Sequence, residues 1–299
     1  MSYKVNLVIP DCHYEIIGAS YVGEPRSNTV MYISKKIEPM IENLSKVRES
    51  LIFAENGISI PERIKKDNYL ICTDNPQREY AEFVSKLFKS RLEKERKRKY
   101  KLKDGGYYIG ENVSIGRNSY IEPGCLIGHD VVIGEDACIL AGTIIKNSII
   151  GDSLLANEYA VIGAYGFTIA EDKDGNKFRI PTLGRVKIGN SVEVGVHDNI
   201  SCGSCGDTLI DDYVKLDALV HIGHDAHLHD NVEITAGGII GGFVDVGENS
   251  YAGINVCVRN RISVGEHCVI GMGSTVTKAI LPGVTVIGNP AKIYERKEK

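Results

Sequence analysis

Tryptophan is absent from this chain of 299 residues, and phenylalanine occurs only six times. This scarcity argues against a core built around large aromatic rings and favours a thin aliphatic core. No run of 18 apolar residues is present, so no membrane-spanning helix is predicted. The first ten residues lack the charged and apolar regions of a signal peptide. The net charge of −4 gives no sign of nucleic acid or a membrane surface as partner. We therefore expect a cytoplasmic protein.

Aliphatic residues instead recur every six positions over most of the chain. The three runs are Ile109, Ile115, Ile121, Ile127, Ile133, Ile139 and Ile145; Ile188, Val194 and Ile200; and Ile210, Leu216, Ile222, Leu228, Ile234, Ile240, Val246, Ala252, Val258, Val264, Ile270 and Val276. A period of six fits neither an α-helix nor simple strand alternation. It is typical of a parallel β-helix, in which each repeat is a short strand and a turn. We predict a mainly β protein whose residues 104–281 form a solenoid with one continuous aliphatic core.

Residues 1–76 lack this repeat and predict a small α/β domain. Apolar runs at 50–54 and 68–72 indicate buried strands, and helical spacing predicts a helix between Ile33 and Val47. A second helix is expected to connect the domains over residues 77–103, with a basic second half. We interpret that half as solvated, the alternative being a docking patch for an acidic carrier protein or the phosphates of coenzyme A. Residues 282–299 are expected to be a C-terminal tail.

The repeat breaks between Gly163 and Lys187. This segment predicts a β-hairpin that turns at Asp174-Gly175. A loop that leaves a regular solenoid is a usual place for function. Just after the following repeats, Cys202 and Cys205 form a CxxC pair. Its place among β-helix repeats does not favour redox chemistry.

Four histidines, at positions 221, 224, 227 and 229, lie within nine residues. We expect the chain to spread them around a corner of the solenoid, and we find no cysteine or carboxylate ligands at matching spacing, so no metal site is predicted. His227 and His229 are interpreted as surface residues. His224 is predicted to be a general base, because imidazole exchanges protons near neutral pH. Gly242 lies one coil of 18 residues later, where its backbone N–H is suited to bind an oxyanion.

Several segments resemble the UDP-3-O-acylglucosamine N-acyltransferase family of lipid A biosynthesis. They are Gly166-Phe-Thr, Arg179 to Arg185 and Asp217 to His224, with Gly18-Ala-Ser, Val30 to Ser34 and Cys72 to Pro76 in the first domain. The resemblance implies a left-handed parallel β-helix and a homotrimer with active sites between neighbouring subunits. It also implies a nucleotide-sugar acceptor, with His224 as the catalytic histidine and Gly242 as the oxyanion-binding glycine.

The chain departs from that family at several positions. Tyr32 matches one aromatic residue of the family's uracil pocket, but Lys35 and Glu38 replace the asparagine and the second aromatic residue. Arg261 replaces a second histidine of the active site, and Ser201-Cys202-Gly203 replaces an Asp-Arg-Gly motif. We expect Tyr32 to stack on the nucleotide base. Lys35, His221 and Arg261 are assigned to acceptor binding.

The end of the chain resembles a different group of hexapeptide proteins. The family binds acyl carrier protein through a C-terminal helical extension, whereas Gly288 to Lys292 resembles acetyltransferases that use coenzyme A. We therefore expect an acyl-coenzyme A donor, with acyl carrier protein as the alternative. Glycines 253, 271 and 273 are expected to line its pantetheine groove, and Lys292 to meet its phosphates.

The sequence thus predicts an N-acyltransferase that moves an acyl group, most simply acetyl, from a thioester to the amine of a nucleotide-linked amino sugar in surface-glycan biosynthesis. No permanently bound cofactor and no covalent intermediate are expected. The alternative within the same class is the lipid A enzyme, which transfers a 3-hydroxyacyl group from acyl carrier protein. The alternative from another class is a non-catalytic β-helix scaffold or a metal protein like the γ-carbonic anhydrases.

Overall fold

The computed structural model describes residues 3–5, 9–171 and 174–294 of the chain. Residues 172 and 173 of the expected hairpin turn lie outside these ranges, as do the last five residues of the expected tail. The chain forms two compact units. The first comprises residues 1–97, 167–184 and 204–206, and the second comprises 98–166, 185–203 and 207–299. Among the described residues, no helix combines the length and apolar character needed to cross a membrane.

The first unit contains a sheet of four parallel strands in sequential order. These strands are Gly18–Ala19, Thr29–Ile33, Leu51–Glu55 and Tyr69–Thr73. Two further strands, Tyr3–Lys4 and Glu15–Ile16, pair antiparallel. The two apolar runs predicted to be buried strands form adjacent strands of one sheet. Leu51–Glu55 is buried as predicted, whereas Tyr69–Thr73 is only partly buried and its Cys72 is exposed.

The helices of the first unit differ in part from the prediction. Lys35–Lys46 is a 3-10 helix rather than an α-helix. Pro39 lies inside it and has no backbone N–H to donate, so one hydrogen bond of the helix is missing. Helix α1 spans Glu62–Asp67.

Helix α2 spans Pro76–Glu95 and begins where the Asn75 side chain accepts a hydrogen bond from the backbone N–H of Arg78 at 3.1 Å. It ends eight residues before the predicted position. Like charges four residues apart, such as Lys94 and Arg98, disfavour further helical turns, and Arg98 instead pairs with Asp130. The buried face of α2 belongs to the core of the first unit, so this helix is more than a connector.

The predicted hairpin is present and explains why the six-residue repeat breaks. Strands Thr168–Glu171 and Lys177–Ile180 pair antiparallel, with Thr168 opposite Ile180 and Glu171 opposite Lys177. Its apolar residues join the core formed by α2 and the parallel sheet. The chain leaves the solenoid here to complete the first unit.

The second unit is a parallel β-helix with three faces. Face 1 contains Lys101–Leu102, Tyr108–Ile109, Leu126–Ile127, Ile144–Ile145, Val161–Tyr165, Asn199–Cys202, His221–Ile222, Ile239–Ile240, Cys257–Val258 and Thr275–Val276. Face 2 contains Ser114–Ile115, Val132–Ile133, Ser148–Ile150, Val186–Ile188, Thr208–Ile210, His227–Leu228, Asp245–Val246 and Ser263–Val264. Face 3 contains Tyr120–Ile121, Cys138–Ile139, Leu155–Ala156, Glu193–Val194, Lys215–Leu216, Glu233–Ile234, Tyr251–Ala252, Val269–Ile270, Thr285–Ile287 and Lys292–Ile293.

The repeated aliphatic residues point into the solenoid. Ile127, Ile145, Ile200 and Ile240 each have no exposed surface, and they share one core with their neighbours in the coils on either side. The strands pair in parallel with the preceding and following coils, except for the first strand of face 1 and the last of face 3. Outward residues of successive coils therefore form columns along each face.

Candidate active site

His224 lies at the corner that joins face 1 to face 2. The strand before it ends with Ile222, and the next strand ends with Leu228; both side chains are buried in the aliphatic core. Between them Asp225 adopts a left-handed backbone conformation, with φ of 58°. Aspartate tolerates this conformation better than most residues. The corner therefore turns tightly and presents the imidazole outside the core.

Asp225 orients the imidazole. Its carboxylate lies 2.7 Å from Nδ1 of His224, and its side chain is only 3% exposed. The backbone N–H of Asp225 donates to the hydroxyl of Thr208 at 2.9 Å. That hydroxyl donates in turn to the carbonyl of Ser201 at 2.7 Å. With Nδ1 facing Asp225, the histidine is held in the arrangement expected of a general base that works through Nε2.

Two glycines, which have no side chain, make room for the imidazole of His224. A methyl group at Gly242 would lie 2.9 Å from both Cε1 and Nε2 of His224, and one at Gly166 would lie 2.8 Å from its Cβ. Both distances are shorter than ordinary contacts between carbon and another heavy atom. The side chain of His224 is consequently enclosed, with 16% of its surface exposed.

The backbone N–H of Gly242 lies at the same corner as His224, one coil later. At some corresponding positions a side chain accepts this N–H, as Nδ1 of His129 does for Glu111 and Asp230 does for Asp212. No described residue accepts the N–H of Gly242. This donor beside the imidazole has the character needed to bind a developing oxyanion.

Phe243 and Arg261 extend the same corner through the following coils. The Phe243 ring meets the imidazole of His224 edge to face, with centroids 5.3 Å apart. The guanidinium carbon of Arg261 lies 4.1 Å from the centroid of that ring. Arg261 thus adds a positive charge to the corner, held by a cation–π contact.

His221, on the strand before the corner, is largely buried. Burial, followed by the nearby charge of His224, lowers the pKa of His221 below its ordinary value. His221 is therefore suited to a neutral hydrogen-bonding role.

The residues assigned to the nucleotide lie in the first unit. Tyr32 is partly buried, and its ring lies 5.3 Å from that of Tyr80. The backbone N–H of Lys35 donates to the Glu55 carboxylate at 2.8 Å, and its ammonium lies 3.8 Å from the same group. A surface cavity of about 450 Å³ also occurs in this unit, and neither Tyr32 nor Lys35 lines it. Its lining residues are Asn75, Gln77, Arg78, Ile169, Ala170, Glu171 and Lys177.

The glycines assigned to the donor lie at a different corner from His224. Gly253 and Gly271 follow strands of face 3. A methyl group at Gly253 would lie 2.7 Å from the backbone nitrogen of Met272, and one at Gly271 would lie 2.7 Å from Cγ2 of Ile287. Coil packing therefore already requires both glycines. A methyl group at Gly273 would meet open space, but its φ of 67° favours glycine. Lys292 is exposed, on the last strand of face 3. Within one chain these residues do not gather at the corner of His224.

The basic stretch that begins in the last turns of α2 and continues beyond it is less open for docking than its sequence indicates. Arg91 pairs with Glu95 at 2.7 Å. Arg98 is held by Asp130 at 2.5 Å and by Glu111 at 3.3 Å. Part of its positive charge is therefore used in ion pairs within the chain.

The expectation that no carboxylate accompanies the four histidines is wrong. Two carboxylates do lie near them, because Asp211 and Asp245 belong to the coils before and after His227 and His229. The sequence did not reveal these carboxylates as neighbours of the histidines, because they lie about one coil away along the chain. His221 and His224 remain apart from this group, on face 1 and its corner.

The residues of the site that were not predicted include Asp225, Thr208 and Phe243. Asp225 directly follows His224, and the tendency of aspartate to adopt the left-handed conformation was a usable signal. Thr208 is 17 residues away and could not be assigned without the stacking of the coils.

The comparisons with known proteins agree with this architecture. The family profile for bacterial transferase hexapeptide (six repeats) matches residues 112–147. The UDP-3-O-acylglucosamine N-acyltransferase of Coxiella burnetii is 34% identical over 143 residues, which cover 48% of this chain and 42% of that protein. The same enzyme of Janthinobacterium sp. is 32% identical over 138 residues, covering 46% and 39%. The chain therefore matches less than half the length of these curated relatives.

Solved structures agree on the fold. The UDP-N-acetylglucosamine acyltransferase of Campylobacter jejuni matches with a TM-score of 0.58 and 25% identity, covering 63% of this chain and 72% of that one. The corresponding protein of Bacteroides fragilis matches with a TM-score of 0.57 and 24% identity, covering 64% and 73%. The predicted fold, a left-handed parallel β-helix with a small N-terminal α/β domain, is confirmed. The chain thus contains hexapeptide repeats, and about half of it is similar in sequence to the UDP-3-O-acylglucosamine N-acyltransferases.

Proposed function

We propose that this chain transfers an acyl group from a thioester to the amine of a nucleotide-linked amino sugar. The observation that carries the proposal is the pairing of an Asp225-oriented imidazole with the unaccepted N–H of Gly242. The first is suited to removing a proton, and the second to holding the negative charge that forms at the same moment. The similarity to the UDP-3-O-acylglucosamine N-acyltransferases supports the same chemistry.

The reaction begins when the amine nitrogen of the acceptor attacks the thioester carbonyl carbon. Nε2 of His224 takes a proton from that nitrogen as the carbon–nitrogen bond forms. The carbonyl electrons move onto oxygen, and the N–H of Gly242 donates to the oxyanion. Collapse of this intermediate restores the carbonyl and breaks the carbon–sulfur bond. The thiolate leaves and takes the proton from the imidazolium, so no covalent enzyme intermediate or bound cofactor is required.

Substrate-binding roles follow from position. Arg261 lies near His224 in a following coil, and His221 lies on the strand just before the corner. Both are suited to bind hydroxyl or phosphate groups of the acceptor. Tyr32 and Lys35 are assigned to the nucleotide. Glycines 253, 271 and 273 and Lys292 are assigned to the donor. Because they lie at another corner, this last assignment depends on a neighbouring copy, and we propose a homotrimer with shared sites.

Two reactions that differ in the acyl donor are candidates for this chain. The curated relatives favour an enzyme that acylates UDP-3-O-acylglucosamine, and we propose this reaction first. Acetyl transfer from acetyl-coenzyme A to another nucleotide-linked amino sugar is the second candidate. It is favoured by Lys35, which is tied to Glu55 where the resembled family has a base-binding asparagine.

A competition assay tests the proposal. Purified protein is given UDP-3-O-acylglucosamine or a UDP-linked amino sugar, together with acetyl-coenzyme A and 3-hydroxyacyl carrier protein, and the products are weighed by mass spectrometry. Transfer of the hydroxyacyl chain supports the first candidate, and transfer of acetyl alone supports the second. His224→Ala should retain its fold and lose about 10²–10⁴-fold in rate, as expected when a general base is removed. No product with either donor, or an unimpaired His224→Ala variant, would contradict the proposed function.

A further inference from the structure

A second group of chemically active side chains lies on face 2, just beyond the corner of His224. His227 and His229 occupy alternate positions around the inward Leu228, so both point outward. Their ring centroids lie 3.8 Å apart, with the ring planes inclined by 31° to each other. The proposed acyl transfer makes no use of either residue.

Carboxylates from the adjacent coils lie on both sides of the two rings. In the parallel ladder, His227 is opposite Leu209 on one side and Asp245 on the other. Asp211, two residues after Leu209, points outward like it. The group therefore gathers side chains from three successive coils.

The donor atoms of this group are close together. Oδ2 of Asp211 lies 2.7 Å from Nε2 of His227 and 3.6 Å from Nδ1 of His229. One ligand atom from each of these three residues lies within 4.8 Å of the other two. Oδ1 of Asp245 lies 3.4 Å from Nε2 of His229.

These distances suit a small metal ion. Ligands at the usual 2.0–2.2 Å from tetrahedral Zn²⁺ stand roughly 3.3 Å apart. The separations of Asp211 Oδ2 from the two imidazoles, 2.7 and 3.6 Å, lie on both sides of that value. Two imidazoles with a carboxylate favour Zn²⁺ or a related transition metal over Mg²⁺ or Ca²⁺, which prefer oxygen ligands.

We propose that Asp211, His227 and His229 form a binding site for a divalent transition metal such as Zn²⁺, with Asp245 or water as the fourth ligand. The side chains are between 26% and 52% exposed, so an ion can enter from solvent. A bound ion joins the coil that carries His224 to the coil before it and, where Asp245 binds, to the coil after it. Its role is structural, and the site is separate from the proposed acyl-transfer chemistry.

Metal-binding measurements on the full chain test this inference. Protein stripped with a chelator is titrated with Zn²⁺ by calorimetry, and bound zinc is counted by elemental analysis after dialysis. We expect about one Zn²⁺ per chain and a rise in Tm of at least about 2 °C at saturating zinc. The double substitution His227→Gln with His229→Gln should weaken binding at least about tenfold and remove the rise in Tm.

Three further variants distinguish this site from zinc binding elsewhere on the chain. Asp211→Asn keeps the shape of the side chain and should also weaken binding. His267→Asn changes an exposed histidine elsewhere in the solenoid, at a left-handed position that asparagine tolerates, and should bind zinc like the wild type. His224→Ala should also bind normally. The inference is overturned if the wild type retains no zinc, if the double variant binds zinc as tightly as the wild type, or if His224→Ala loses the ion.

Discussion

Gly242 lies so close to His224 that a methyl group on it would stand 2.9 Å from Nε2, the atom assigned to take the proton. It would also stand 3.0 Å from the backbone oxygen of His224. Neighbouring coils thus fix the separation between the proposed base and the proposed oxyanion donor. This separation is a property of the stacked backbone and does not depend on a mobile loop.

We expect Gly242→Ala to reduce kcat/KM at least about 10²-fold, because the new methyl group must displace the imidazole while the backbone N–H remains. The measurement is steady-state kinetics together with thermal unfolding. Gly18→Ala is the matched control, since a methyl group there meets open space. A Gly242→Ala variant with wild-type kinetics would show that the imidazole is not needed where the structure holds it.

Asp225→Asn should lower kcat about 10²-fold while leaving KM for both substrates nearly unchanged. Asparagine tolerates the left-handed backbone at this position, but it removes the negative charge that stabilises the imidazolium as it forms. Kinetics over a range of substrate concentrations separates the two constants. A rise in KM with kcat unaltered would instead indicate a role in substrate binding.

Tyr32→Ala should raise KM for the nucleotide sugar and leave KM for the acyl donor unchanged. Stacking of a base on an aromatic ring is worth roughly 1–3 kcal/mol in nucleic-acid binders. Tyr32→Phe retains the ring and its contact with Tyr80, so it should behave like the wild type. If Tyr32→Ala has normal kinetics while Arg78→Ala is impaired, the 450 Å³ cavity is the better nucleotide site.

Asp198 should make the stability of the protein depend on pH. Burial raises the pKa of this carboxyl to about 7, against an ordinary 3.8, although the N–H groups of Gly195 and Val220 each donate to it at 2.7 Å. The folded chain therefore holds a proton that the unfolded chain releases near pH 4. This stabilising contribution is complete below about pH 4 and is lost as pH rises through about 7.

The measurement is the free energy of unfolding from pH 4 to pH 8 for the wild type and Asp198→Asn. Asparagine does not titrate, so the wild type should lose stability relative to the variant as pH rises. Parallel curves would mean that the Asp198 carboxyl titrates alike in the folded and unfolded states.

The solenoid could be predicted because its core residues recur along the chain at a fixed interval of six positions. Ile127 and Ile145 lie one coil apart and are both buried in the core, so the repeat can be recognised without knowledge of tertiary contacts. His224 and Gly242 could be related for the same reason. Thr208 could not be related to Asp225, nor Asp211 to His227, because each contacts the next coil at a spacing that the six-residue repeat does not mark.

The first unit was harder to predict, because its core depends on partners far away in the chain. Ile180 of the hairpin shares a core with Tyr80 and Val84 of α2, and neither segment shows a pattern that refers to the other. The CxxC pair is a further example. Cys202 is buried in the solenoid core, whereas Cys205 packs in the first unit, with its sulfur 3.7 Å from the hydroxyl of Tyr80.

The three-segment composition of the first unit has a consequence for protein synthesis. A ribosome that has made residues 1–97 has supplied the parallel sheet and α2, but not the hairpin or Cys205. The core cluster around Tyr80 is therefore incomplete until residue 206 has emerged, after several coils of the solenoid. The other core cluster of the first unit lies within residues 22–70, so it can form as soon as the parallel sheet has been made. Domains generally fold as units in the order of their synthesis. In this chain the first unit can begin to fold before the solenoid, but it is completed only after part of the solenoid has been made.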